Sequence, residues 1–107
     1  MISSRNLACL LLAGTLVPAA AQDAAAGRGK AAMCAACHGV NGLATLPDAP
    51  HLAGQPASYL VGQLRAFRAG ARRNEVMSVV TKTLSDGDID DIAAWYSAQK
   101  ISVQTVP

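Results

Sequence analysis

Apolar residues recur at helical spacing along this chain and nowhere alternate as a strand would over any length. The clearest case runs from Pro56 to Ala69, where Leu60, Leu64 and Phe67 fall at i, i+4 and i+7. Arg65 and Arg68 lie off that stripe, Pro56 suits the first helical position, and Gly70 is a natural stop. A second stripe, Ile89, Ile92, Ala93 and Tyr96, follows Ser85-Asp86-Gly87-Asp88. Ser85 is placed as N-cap there, Asp88 completes a capping box, and the first-turn aspartates suit the positive end of the helix dipole.

The alanine-rich, proline-free stretch from Ala24 to Cys37 predicts a third helix, starting near Asp23 or Ala24. Gly27 and Gly29 would weaken it, which predicts the close passage of another backbone. Gly39 to Gln55, with Asn41-Gly42, Pro47-Asp48, Pro50 and Gly54, reads as a long loop. Ala71 to Asn74 is turn-like, and Glu75 to Leu84 reads as a loop carrying Met77 followed by a helical turn or two. Residues beyond Lys100 carry weak helix signals and are expected to fray. The pattern is all-α, about four to five short helices, without internal repeats.

Residues 2–21 have the form of a secretory signal: Arg5, an apolar run from Leu7 to Val17, then Pro18 and Ala19-Ala20-Ala21. The run is too short for a membrane span. Cleavage is expected after Ala21, so that residues 1–21 are the leader and residues 22–107 one domain without a membrane span. An uncleaved N-terminal anchor is the competing reading. Export to the periplasm follows from the leader, and Cys9 would be lost with it.

The expected mature chain holds only four aromatic residues, Tyr59, Phe67, Trp95 and Tyr96. A chain this small usually needs a disulfide, a metal or a cofactor to complete its core. Without Arg5, eight Lys and Arg residues stand against seven Asp and Glu, a net near +1, so composition gives nucleic-acid binding no support. Arg65, Arg68, Arg72 and Arg73 cluster in one stretch, and Asp86, Asp88, Asp90 and Asp91 in another. The arginines are either a steering surface for a partner or simply a solvated helix face.

The chemistry concentrates in Cys34-Ala35-Ala36-Cys37-His38, one copy of C-x-x-C-H. In an exported chain this spacing reads as a c-type haem attachment site. Two thiols three positions apart can form thioethers to the two vinyl groups of one porphyrin, and the next residue, His38, is carried under the iron as an axial ligand. A redox dithiol or half of a zinc site would share the C-x-x-C spacing. The first wants a βαβ context that this sequence lacks. The second wants more ligands than His51, the one further histidine, provides.

Together these stretches resemble the class I c-type cytochromes, in their small soluble bacterial monohaem branch, and look like one half of the periplasmic di-haem members. The matching segments are C-A-A-C-H-G at Cys34–Gly39, P-H-L-A-G-Q at Pro50–Gln55, Tyr59–Asn74, Met77 and Leu84–Ser97. The resemblance implies the cytochrome c fold around one haem c per chain. It implies that Cys34 and Cys37 bind the haem covalently, that His38 ligates the iron through Nε2, and that the Pro50 carbonyl accepts the Nδ1 proton and orients the ring. It implies Met77, thirty-nine residues after His38, as the distal ligand. It also places the first and last helices in contact, with Trp95 or Tyr96 near their crossing. His51 lies where the family uses no ligand and reads as a loop histidine.

A six-coordinate His/Met haem has no open position, so the expected role is electron transfer with redox protein partners, not catalysis. A cytochrome subunit of a periplasmic dehydrogenase complex shares these motifs. A haem enzyme or ligand sensor would need a labile distal site. A monomer is the default state, with Arg72 and Arg73 as candidates for contact with the haem propionates.

Overall fold

The computed structural model describes Gly14 and residues 22–107; the expected leader falls almost wholly outside the described residues. Five α-helices order the described residues: α1 (Ala24–Lys30), α2 (Ala35–His38), α3 (Ala57–Ala69), α4 (Met77–Val80) and α5 (Asp86–Ser97). Short 3₁₀ turns at Ala31–Met33 and Thr81–Thr83 lead out of α1 and α4. No described residue is in a strand, and no described helix is long and apolar enough to cross a membrane.

The caps follow the local chemistry. Asp23 Oδ1 accepts from the Ala25 and Ala26 amides at 2.9 and 3.1 Å and opens α1. Ser85 and Asp88 form the expected reciprocal box, each backbone amide donating to the other's side chain at 3.0 Å. Gly70, in the left-handed conformation at φ 79°, closes α3. Two expectations are corrected. Pro56 is the N-cap of α3, with ψ 132°, and Ala57 is its first helical residue. The stretch from Ala24 to Cys37 is not one helix, because tight i→i+3 hydrogen bonding at Ala31–Met33 separates α1 from α2.

The most extensive contact between helices is α1 against α5. It forms where Gly27 meets the backbone of Asp91: a β-carbon at Gly27 would stand 1.9 Å from the Asp91 carbonyl oxygen. Gly29 meets nothing within 4 Å, so the close approach inferred from both glycines belongs to Gly27 alone. Lys30 Nζ, one turn along, pairs with Asp91 Oδ2 at 2.7 Å and Asp88 Oδ1 at 3.1 Å, while the Asp23 amide donates to Asp91 Oδ1 at 2.9 Å. Trp95 and Tyr96 leave the crossing towards the loop, where Trp95 Nε1 donates to the Val40 carbonyl at 3.0 Å.

The seventeen-residue segment from Gly39 to Gln55 has no helix, yet much of its backbone is hydrogen-bonded. The Gly54 amide donates to the Tyr96 carbonyl at 2.9 Å, and the Leu52 and Ala53 amides share the Gly42 carbonyl. Gly42 has φ 80°, and a β-carbon there would lie 2.8 Å from the Tyr96 ring. A long loop is tolerable in so small a domain when its polar backbone is paired in this way.

The buried apolar core is small: Ala31, Ala53, Leu60, Phe67, Ile89, Ile92, Ala93 and Tyr96. The charged clusters largely meet each other. Arg65 reaches Asp86 and Asp90, and Arg68 pairs with Asp86 while donating to the Leu84 carbonyl. Two of the four arginines thus tie α3 to the start of α5, which weakens their case as a steering surface.

Gly27→Ala should lower stability by about 3 kcal/mol, because its partner is backbone and cannot turn aside. Gly29→Ala should be neutral or stabilising by about 0.5–1 kcal/mol in the same denaturant titration. Lys30, together with the Asp23 amide, holds the Asp91 carboxyl below its ordinary value of 3.8. Its stabilisation is therefore present above that pH and is lost as pH falls below it. Melting temperatures followed downward from pH 5 should show a shallower fall for Asp91→Asn than for wild type.

Candidate haem site

The end of α2, the loop, α3, α4 and α5 enclose a cavity of about 590 Å³. That lies within the roughly 300–1,000 Å³ of ordinary ligand and cofactor pockets. Its wall contains Cys34, Cys37, His38, Pro50 and Met77 together. The apolar faces of α3 (Leu60, Leu64, Phe67) and α5 (Ile92, Ala93, Tyr96) supply much of its lining, with Leu52 and Val80. The same stripes that make the helices amphipathic therefore shape the cavity.

His38 is buried at 7 % exposure, and its Nδ1 lies 2.9 Å from the Pro50 carbonyl oxygen. A carbonyl only accepts, so Nδ1 carries the proton and Nε2 keeps its lone pair for a metal. Cys34 and Cys37 are not joined in a disulfide. Burial, and secondarily Cys37, pushes the Cys34 thiol above its ordinary pKa, the reverse of the lowered thiol of a redox-active pair. Among the described residues no three His, Cys, Asp or Glu side chains gather as a metal site, which leaves zinc without a ligand set.

Met77 is the first residue of α4 and half-buried. His51 is exposed, lies outside the cavity wall, and accepts the Ala44 amide through Nδ1 at 2.7 Å. Arg72 lines the cavity, with its guanidinium 4.6 Å above the Phe67 ring and Nη1 donating to Gln63 Oε1 at 2.7 Å. Arg73 instead lines a separate open depression with Arg68 and Lys82. Met33, Leu46, Tyr59 and Val76 also belong to the cavity wall while remaining 49–57 % exposed, so its mouth carries an apolar rim beside the exposed Asp48, Arg72 and Asn74. Sequence reasoning missed this rim and also Asn74, whose signal was an Asx residue three positions before Met77.

Short helices wrapped on a cavity with C-x-x-C-H in its wall define a class I c-type cytochrome. The chain belongs to the cytochrome c family, whose family model, "Cytochrome c", matches residues 24–98. It is 48% identical over 84 residues to cytochrome c4 of Pseudomonas aeruginosa, covering 78% of this chain and 42% of that protein. It is 46% identical over 83 residues to cytochrome c-554(548) of Halomonas halodenitrificans, covering 75% of this chain and 100% of the relative. A "Thiosulfate dehydrogenase electron acceptor" of Thiomonas intermedia is 42% identical over 108 residues, 99% of this chain and 49% of that protein. The crystal structure of reduced recombinant cytochrome c4 from Pseudomonas stutzeri superposes with a TM-score of 0.72 at 46% identity, over 78% of this chain and 48% of that one. The chain thus spans about half the length of the cytochrome c4 relatives it matches.

Membership of this family makes the cofactor a covalently bound haem c. The residues present fit it: a largely apolar cavity, two unpaired thiols in its wall, an imidazole held in the tautomer that frees Nε2, and a thioether.

Burial pushes the Tyr96 phenol up to about 12, with Cys34 adding to it, so the folded state keeps it protonated after the unfolded chain has lost the proton near 10. Stability should therefore fall as pH rises from 10 to 12. Tyr96→Phe removes that contribution and gives up only a weak 3.4 Å hydrogen bond to the Gly39 carbonyl. Denaturant midpoints at pH 9 and pH 11.5 should converge in the variant relative to wild type.

Proposed function

We propose that this chain is a periplasmic one-electron carrier, residues 1–21 being its leader and residues 22–107 a cytochrome c domain. Cys34 and Cys37 would hold the haem covalently, and His38 and Met77 would ligate its iron. The observation that carries this reading is the meeting of all four side chains in one cavity wall, with His38 Nδ1 already engaged by Pro50. When bound, the haem supplies one-electron exchange between its ferric and ferrous states.

The chain's residues do the rest. Pro50 orients the imidazole by accepting its Nδ1 proton. The Met77 thioether would ligate the iron together with His38 and, as a soft ligand, would favour the ferrous state and raise the potential. Leu60, Leu64, Phe67, Ile92 and Tyr96 keep water from the ring and raise it further. Electrons would leave through the apolar rim of Met33, Leu46, Tyr59 and Val76, a better docking surface than arginines already engaged with aspartates. With both axial positions filled from the chain, no site remains for substrate, and the protein is not an enzyme by itself.

Service to a periplasmic dehydrogenase, as acceptor or subunit, is a second reading of the same chemistry. It is supported by the name of the Thiomonas intermedia relative, to which nearly all of this chain aligns. Stable co-purification with a dehydrogenase would favour it over a free carrier.

Ligation is tested by Met77→Ala. The ferrous variant should bind carbon monoxide while wild type does not, and its potential should fall. A variant that keeps the wild-type spectrum and still excludes carbon monoxide would remove Met77 from the iron.

A further inference from the structure

Two polar side chains are buried among the described residues, His38 at 7 % exposure and Thr81 at 0 %. His38 belongs to the proximal side of the site. Thr81 has no role in anything described so far, yet it is the more deeply buried, and its hydroxyl donates to the Met77 carbonyl at 2.7 Å. The Met77 amide is held as well: Asn74 Oδ1 accepts from it at 3.0 Å and from the Val76 amide at 2.9 Å. Asn74 is itself fixed, because its amide donates to Ser78 Oγ at 3.1 Å and its carbonyl accepts from the Ser78 amide at 3.0 Å.

A four-residue helix such as α4 does not persist on propensity alone. Its position must come from bonds to its ends. A threonine hydroxyl returning to the carbonyl four residues back is common in helices. What sets Thr81 apart is its complete burial, where a valine of the same shape would leave no polar group to satisfy. It also stands out because its acceptor is the same residue whose amide Asn74 holds.

We propose that Asn74 and Thr81 form a two-sided clamp on the Met77 backbone, and that as positioning residues they set how readily its sulfur leaves the iron. This rests on the reading of Met77 as distal ligand. The clamp would be the distal counterpart of the Pro50 carbonyl, with one difference. Pro50 holds its ligand by the ring, whereas the clamp holds the backbone and leaves the flexible Met77 side chain to complete the reach.

The experiment uses the haem-loaded protein and measures the rate at which imidazole displaces the distal ligand from ferric iron. The far-red methionine-to-iron charge-transfer band is recorded alongside. Asn74→Ala removes the acceptor at an exposed position, and Thr81→Val removes the hydroxyl with little change of shape. Each should speed displacement about tenfold, the effect of losing a hydrogen bond to the Met77 backbone, with Asn74→Ala also losing the bond from the Val76 amide. Thr81→Ser and Asn74→Asp, which keep the bonding atoms, should stay within about twofold of wild type. Ser85→Ala strips the cap from α5 and loosens the fold elsewhere, and should leave the rate unchanged.

The clamp is overturned if wild type shows the band and both bond-deleting variants exchange at its rate. It is overturned equally if Ser85→Ala speeds exchange as much as they do, since general loosening would then explain the effect. Absence of the band from wild type would instead overturn the ligation by Met77, and the clamp with it.

Discussion

Leu60, Phe67, Ile92 and Tyr96 are among the largest apolar side chains this domain has, and all four line a cavity of about 590 Å³. That constraint governs the rest of the structure. A domain with four aromatic residues after its expected leader cannot close so large a space with its own atoms. A void of that size would forfeit dispersion contacts along its whole lining. The haem c of this family, on the proposed anchoring to Cys34 and Cys37, supplies those contacts, so the cofactor completes the core as well as carrying the electron. The helices are accordingly short and turned inward, and the long loop from Gly39 to Gln55 serves as wall.

The frame that holds the cavity open to the cofactor is polar and local. Gly27 lets α1 and α5 approach to backbone contact, and Lys30, Asp23 and Asp91 lock that crossing from its exposed side. Arg65 and Arg68 do the same between α3 and the start of α5. Exposed pairs of this kind contribute little each. Their effect here is to fix how the helices cross, and so where α2 presents the haem motif.

The fold was legible in the sequence where local chemistry decides the outcome. The Ser85–Asp88 box, the Gly70 stop and the inner stripes of α3 and α5 all depend on residues within one or two turns of each other. The C-x-x-C-H motif was legible for the same reason, and the partnership of His38 with Pro50 came through the family resemblance. Features decided by three-dimensional neighbours were not legible. Gly27 and Gly29 look alike in sequence, and only the path of α5 distinguishes them. The arginine cluster looks like a free surface until Asp86 and Asp90 are folded against it. The apolar rim is contributed by Met33, Leu46, Tyr59 and Val76, which no short window contains. Thr81, inside a stretch read as mixed, gave no sign that it would be the most deeply buried polar residue described.

On the proposed function, this chain closes both axial positions of a covalently held haem with its own side chains. Visible spectra of the protein, expressed with haem attachment in a periplasm, test it most directly when taken oxidised and reduced, with and without carbon monoxide. Low-spin c-type spectra in both states, unchanged by carbon monoxide, are expected. A high-spin spectrum, or a clear shift on adding carbon monoxide, would mean that the distal position is open or labile, and would contradict that closure.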